Sequence, residues 1–147
     1  MSVRANMLKS SKEISAYKET SVRTASGGKI IVMLYEEAIK QLDGAIDLLK
    51  AENRPLDQIN NRILKAQDIV TELMVSLDFD KGGEIAPKLF GLYRYFNDQL
   101  MEANINKNPQ PLEAVRQLMG ELRDAWVQIL GKTHVQGEGV GGVDIAG

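Results

Sequence analysis

The sequence predicts an all-α protein: an antiparallel, up-and-down four-helix bundle with a short N-terminal arm or helix and a disordered, glycine-rich C-terminal tail. Three observations lead there. Apolar residues recur at alternating steps of three and four along four separate segments, which gathers each set on one helical face. Prolines, glycines and asparagines fall between those segments and leave room only for short connections. No stretch alternates apolar and polar residues with a strand's period at comparable strength. Amphipathic helices joined by short breaks bury their faces most simply against one another, each antiparallel to the next.

The first helix is expected to start near residue 27. Ser26 carries the side-chain oxygen of an N-cap, Gly27 and Gly28 permit a sharp approach, and Ile30 begins an apolar run. Ile31, Ala38 and Ala45 take one heptad seam position, and Tyr35, Leu42 and Leu49 the other. Val32, Ile39 and Ile46 add a further stripe. Either the bundle buries this helix on two sides, or part of the stripe waits for a partner. Glu52 to Pro55 is a polar break, with Pro55 suited to the first position of a second helix. That helix carries Leu56, Ile63, Val70 and Leu77 alternating with Ile59, Ala66 and Leu73.

Asp78 to Gly83 reads as a turn. A third helix carries Ile85, Leu89, Leu92, Phe96 and Ala103, with Pro87 early enough to be tolerated. Asn106 to Pro111, holding two prolines, is expected to end it. A fourth helix carries Leu112, Val115, Leu118, Leu122, Ala125 and Ile129. Phe90, Tyr93, Tyr95 and Phe96 point around the third helix at angles that cannot share one core, so at least one should reach a surface or groove. Trp126 is expected to anchor the core or its boundary, and Asn104 to cap its own helix.

Composition bounds the function. A chain of 147 residues with 44% hydrophobic content is one domain with a real core. The division expected is a flexible N-terminus over 1–13, the bundle domain over 14–131 and the tail over 132–147. Within the domain, Ile14, Tyr17 and Val22 give the arm an apolar side. Eighteen basic residues against twenty acidic ones leave a net charge of −2, so there is no electrostatic footprint for nucleic acid and no lipid-directed basic helix. No apolar run is long enough for membrane insertion. Cysteine is absent, which excludes disulfides and thiolate chemistry, and Met1 to Ser11 lacks the apolar core of a signal peptide. A cytoplasmic location is therefore expected.

Motifs that carry chemistry fail on context. Gly137, Gly139 and Gly142 fit G-x-G-x-x-G but neither follow a strand nor open a helix, as phosphate binding requires. Asp78, Asp80 and Gly83 imitate a calcium loop, but its twelfth position is Leu89 where a bidentate carboxylate is needed. They suit a turn better. The single histidine, His134, lies in the tail, and the adjacent Glu36 and Glu37 point in different directions. Neither makes a catalytic pair. The sequence thus predicts no catalytic residues, no cofactor and no metal, and so no enzyme.

Several strings, in order, resemble one family. They are Ala16-Tyr17, Thr24-Ala25-Ser26, Met33-Leu34-Tyr35, AQDIVTELMVSLDF from Ala66, GGEIA from Gly82, LYRYF from Leu92, Glu102-Ala103-Asn104 and PLEAVRQLMGELRDAW from Pro111. Over residues 14–130 the chain resembles the flagellar secretion chaperones (FliS). It departs from their pattern at Gly27, where proline is usual, at Glu36-Glu37, where Asp-Gly is usual, and at Pro87. The resemblance implies a cytoplasmic export chaperone whose partners are the flagellin C-terminal region and a component of the flagellar export gate. Prevention of premature flagellin polymerisation would be its purpose, and the N-terminal arm would pack near the client site. The alternative is a self-associating structural or regulatory bundle, a homo-oligomer built on the same stripes. The client-binding residues expected are Tyr17, Ile30, Met33, Leu34, Ile39, Ile46 and Met74, chosen by periodicity and by their places in the matching segments.

Overall fold

A computed structural model of the chain describes residues 27–140, with side chains through residue 131. It contains α1 (Gly27–Lys50), α2 (Leu56–Val75), α3 (Ile85–Asn106) and α4 (Pro109–Val140), and no strand among the described residues. Each helix packs on two neighbours, α1 on α2 and α4, and α3 on α2 and α4. This is the expected up-and-down four-helix bundle. Its core holds Tyr35, Ala38, Leu42 and Ala45 from α1, Ile59, Ile63, Ala66 and Val70 from α2, Phe96, Leu100 and Ala103 from α3, and Leu112, Val115 and Met119 from α4.

The extra stripe on α1 is explained by its two neighbours. Val32 and Ile46 are buried and Ile39 packs half-buried against the core. Along the α1–α4 seam, three ion pairs fix the antiparallel register: Glu36 with Arg123 at 2.6 Å, Asp43 with Arg116 at 2.9 Å, and Lys50 with Glu113 at 2.7 Å. The α1 members stand one heptad apart, so they share one edge of the helix. All three are solvated and screened, and so contribute register more than stability. The α2–α3 seam uses amides instead: Asn104 donates to Asn60 Oδ1 at 2.7 Å, and Asn97 to Thr71 Oγ1 at 3.2 Å. Asn104 therefore ties two helices together and does not cap its own, whose C-cap is Lys107 in the left-handed region. Among the described residues, no side-chain hydrogen bond or ion pair joins α3 to α4.

Other expectations shift by local physics. Pro55 is the N-cap of α2, one residue before its first turn. The break around residue 108 is shorter than the prolines suggest, since Pro109 and Pro111 lie in the first turn of α4. First-turn amides have no intrahelical acceptor, so proline there loses nothing. The buried seam of α4 is Leu112, Val115 and Met119, continued by the half-buried Leu122 and Trp126, while Leu118 and Ile129 are exposed. Steps of three and four from Leu112 reach Met119 and Trp126 as well as they reach the residues expected, so the pattern alone did not separate the two faces. Leu56 is likewise exposed at the head of α2.

α4 also runs on to Val140, past Lys132 where the tail was expected to begin. No proline interrupts residues 132–140, and each helical residue added gains a backbone bond. The arm from Ile14 to Val22, the Ser26 cap, the His134 side chain and residues 141–147 lie outside the described residues.

Candidate functional site

Among the described residues, the bundle leaves open a groove of about 450 Å³ at the end where α1 begins and α2 stops. Its walls are mostly apolar. α1 supplies Ile31, the end of α2 supplies Ser76 and Leu77, α3 supplies Ile85, Ala86, Leu89 and Tyr93, and α4 supplies Leu122, Ala125, Trp126 and Ile129. Asp78, Lys81 and Gly82 of the intervening turn form the polar rim.

Local sequence explains why the groove forms here. α2 stops at Val75, and Ser76 returns its hydroxyl to the Leu73 carbonyl at 2.8 Å. The chain then turns on Asp78, whose Oδ1 accepts from the amides of Asp80 and Lys81, both at 3.0 Å. Gly83 follows at φ 54, a left-handed conformation that glycine adopts without steric penalty. The expected turn is thus an aspartate-capped one. It holds Leu77 off the end of α2 and directs Ile85 and Leu89 of α3 along one wall. At the same end of the bundle Gly28 lies so close to Leu130 that a β-carbon would collide with the leucine side chain, so glycine lets the start of α1 approach α4.

At the floor, Tyr35 and Tyr93 meet across the bundle diagonal, with their hydroxyls 2.5 Å apart and their ring centroids 6.4 Å apart. Burial raises the pKa of both phenols above the ordinary tyrosine value. For Tyr35, the neighbouring Tyr93 raises it further, while the Trp126 indole opposes the shift. Both tyrosines are therefore neutral hydrogen-bonding groups throughout the physiological range. Beside the groove, Phe79 and Phe90 stack edge to face at 6.0 Å and remain exposed, as does Tyr95. The aromatics of α3 thus divide between core and surface, as their angles require.

The residues expected to bind a client fall into three groups. Ile30, Leu34 and Ile46 are buried in the core, so they reach a partner only if the bundle opens. Met33, Ile39 and Met74 are half-buried at helix edges. Tyr17 lies outside the described residues. None of the six described ones lines the groove, whose walls include positions expected to be seam residues, namely Leu77, Ile85, Leu89 and Ile129. The signal available was their location, since apolar seam positions that continue past the last turn of a partner helix have nothing left to pack against.

Glu36 and Glu37 are exposed, the first held by Arg123 and the second accepting from Gln41 at 3.0 Å. Among the described residues, no group of three or more His, Asp or Glu side chains is placed to hold a metal, and no helix is long and apolar enough to cross a membrane. The arrangement offers apolar contact and a few hydrogen bonds, which is chemistry for binding a peptide segment.

Comparison with known proteins agrees with that character. The family model described as "Flagellar protein FliS" matches residues 10–133. The flagellar secretion chaperone FliS of Bacillus subtilis is 30% identical over 88% of this chain and 94% of its own. Its counterpart in Vibrio cholerae is 34% identical over 82% of this chain and 90% of its own, and that of Salmonella typhimurium 34% over 80% and 87%. With the bundle, the matched segments and these identities in agreement, the chain belongs to the FliS family of flagellar proteins.

Proposed function

We propose that this protein is a cytoplasmic export chaperone that binds the C-terminal region of flagellin, keeps it from polymerising early and helps deliver it to the flagellar export gate. The observation that carries the reading is the open apolar groove in a member of a family whose named relatives are flagellar secretion chaperones. Ile85 is 61% exposed and Ile129 44% exposed on its two walls, so they join the other apolar lining residues in one contiguous surface that a partner can cover. A disordered client segment that folds into short amphipathic helices on the bundle would bury them. Such coupled folding covers on the order of 1,000–3,000 Å², more than the groove alone, so the footprint extends beyond it. The half-buried Met33, Ile39 and Met74, the exposed Phe79–Phe90 pair and Tyr17 are proposed as its continuation.

The test is calorimetric titration with a peptide of about forty residues from the flagellin C-terminus, followed by circular dichroism of the mixture. A one-to-one complex with a negative heat-capacity change and a gain of helix supports the reading. No heat and no helix gain would remove it. Concentration-dependent self-association in the same samples would then favour a homo-oligomer covering its own groove.

A further inference from the structure

From the groove an apolar stripe continues down the seam between α3 and α4. On α3, Ile85, Leu92 and Tyr95 follow one another at helical spacing and share a face, while Asn97 and Asn104 turn toward α2, which leaves that face on the α4 side. On α4, Leu118, Leu122, Ala125 and Ile129 repeat at steps of four and three, away from the side where Arg116 and Arg123 hold α1. Tyr95 is 44% exposed and Leu118 36%. At the helical rise Tyr95 stands about 15 Å below Ile85, and Leu118 about the same below Ile129, so the stripe ends level on both helices. Past that level the α3 face turns polar at Gln99 and Glu102, and the next α4 residue on the stripe is the small Ala114. The α1–α2 seam is crossed by Arg62 donating to Gln41, the α1–α4 seam by ion pairs and the α2–α3 seam by amides. With no such tie between α3 and α4 among the described residues, a partner laid along this seam displaces no polar bond.

The charges bordering the stripe are unbalanced. Glu84, Lys88 and Glu102 share the edge of α3 that carries Tyr95, and Glu121 flanks the stripe on α4, all of them exposed. Among the described residues none of the three carboxylates has an ion pair, because the arginines of α4 are engaged by Asp43 and Glu36. With Asp78 at the groove rim, these acids face only Lys81 and Lys88. We propose that groove and stripe form one track for a single amphipathic helix of the client, about three turns long, apolar toward the α3–α4 seam and basic on its flanks. This deepens the export-chaperone reading and rests on it. Lysine or arginine stems on those flanks lie over apolar surface while their heads reach the carboxylates, and an equally apolar helix with acidic flanks is repelled.

The test titrates the flagellin C-terminal peptide into the full chain. Leu118→Asp and Tyr95→Ala, at the far end of the stripe, are each expected to weaken binding about tenfold, whereas Met101→Asp, at an exposed position on the α2 side of α3, stays within about twofold of the parent. Thermal melts establish that the variants fold. Independently of any variant, the affinity of the unaltered protein should fall about fivefold between about 0.05 and 0.5 M salt, and reversal of both charges in Glu102→Lys with Glu121→Lys should abolish that fall. Leu118→Asp and Tyr95→Ala binding as tightly as the parent, or an affinity of the unaltered protein that salt leaves unchanged, overturns the proposal while the export-chaperone reading stands. Failure of the unaltered protein to bind the peptide at any salt concentration removes that reading, and the track with it.

Discussion

Where α1 passes into α2, Arg54 donates to the Lys107 carbonyl at 2.7 Å, Lys107 donates to Asn104, and Asn104 reaches across to Asn60 at 2.7 Å. At the other end, where α2 turns into α3, the described residues cross the bundle with the buried Tyr35–Tyr93 pair alone, and Leu77, Ile85 and Ile129 surround a groove. The closed end accepts unfavourable backbone to stay closed: Arg54 at φ 37 and Lys107 at φ 52 each occupy the left-handed region, at about 1–2 kcal/mol per non-glycine residue. The open end uses an aspartate-capped turn and Gly83, which carry no such strain, yet leaves apolar surface in water. One end is built for stability and the other for contact, on helices that are continuous between them.

Substitutions should separate the two ends. Leu100→Ala, in the core toward the closed end, should lower stability by about 2–5 kcal/mol in urea melts, whereas Leu89→Ala on the groove wall should cost less than about 1.5 kcal/mol. Equal losses would mean that the groove is ordinary core. The tyrosine pair between the two ends should show itself with pH. Both folded-state pKa values are raised, so their contribution is complete below about pH 10, where the unfolded tyrosines begin to ionise, and declines as the pH rises above it. The slope should reach about 1.4 kcal/mol per pH unit for each tyrosine and be halved in Tyr93→Phe, measured by melts between pH 9 and about 11.

Smaller effects probe the polar ties. Asn104→Ala should cost about 1–2 kcal/mol, because it leaves Asn60 and Lys107 without their partner, and a double-mutant cycle with Asn60→Ala should recover part of that loss as coupling. Arg123→Ala, which breaks a solvated ion pair with Glu36, should change stability by less than about 1 kcal/mol, and by less still in high salt. A larger loss would show that the α1–α4 register depends on its charges.

How far the sequence could be read follows the same division. The closed core is legible because Tyr35, Leu42, Ile59, Ile63, Phe96 and Ala103 recur at the spacing that any bundle demands. The α4 face was misread at Leu118 and Ile129 because Met119 and Trp126 fit the same steps, and only packing against α1 and α3 decides between them. Asn104 was read as a cap because its partner, Asn60, is distant in sequence. The groove was illegible for a similar reason: it depends on α2 ending at Val75 while α3 and α4 keep apolar residues at that level. Periodicity describes one helix at a time and says nothing of where neighbouring helices stop.

The central claim is that the open end binds the client and the closed end does not. Calorimetric titration of the flagellin C-terminal peptide into two single variants tests it, Ile85→Asp on the groove wall and Ile105→Asp near the closed end, both at exposed positions where the bundle tolerates a charge. The account predicts that Ile85→Asp weakens binding by about thirtyfold or more, a hot-spot loss, while Ile105→Asp binds within about twofold of the parent. Equal weakening, or a loss confined to Ile105→Asp, would contradict it.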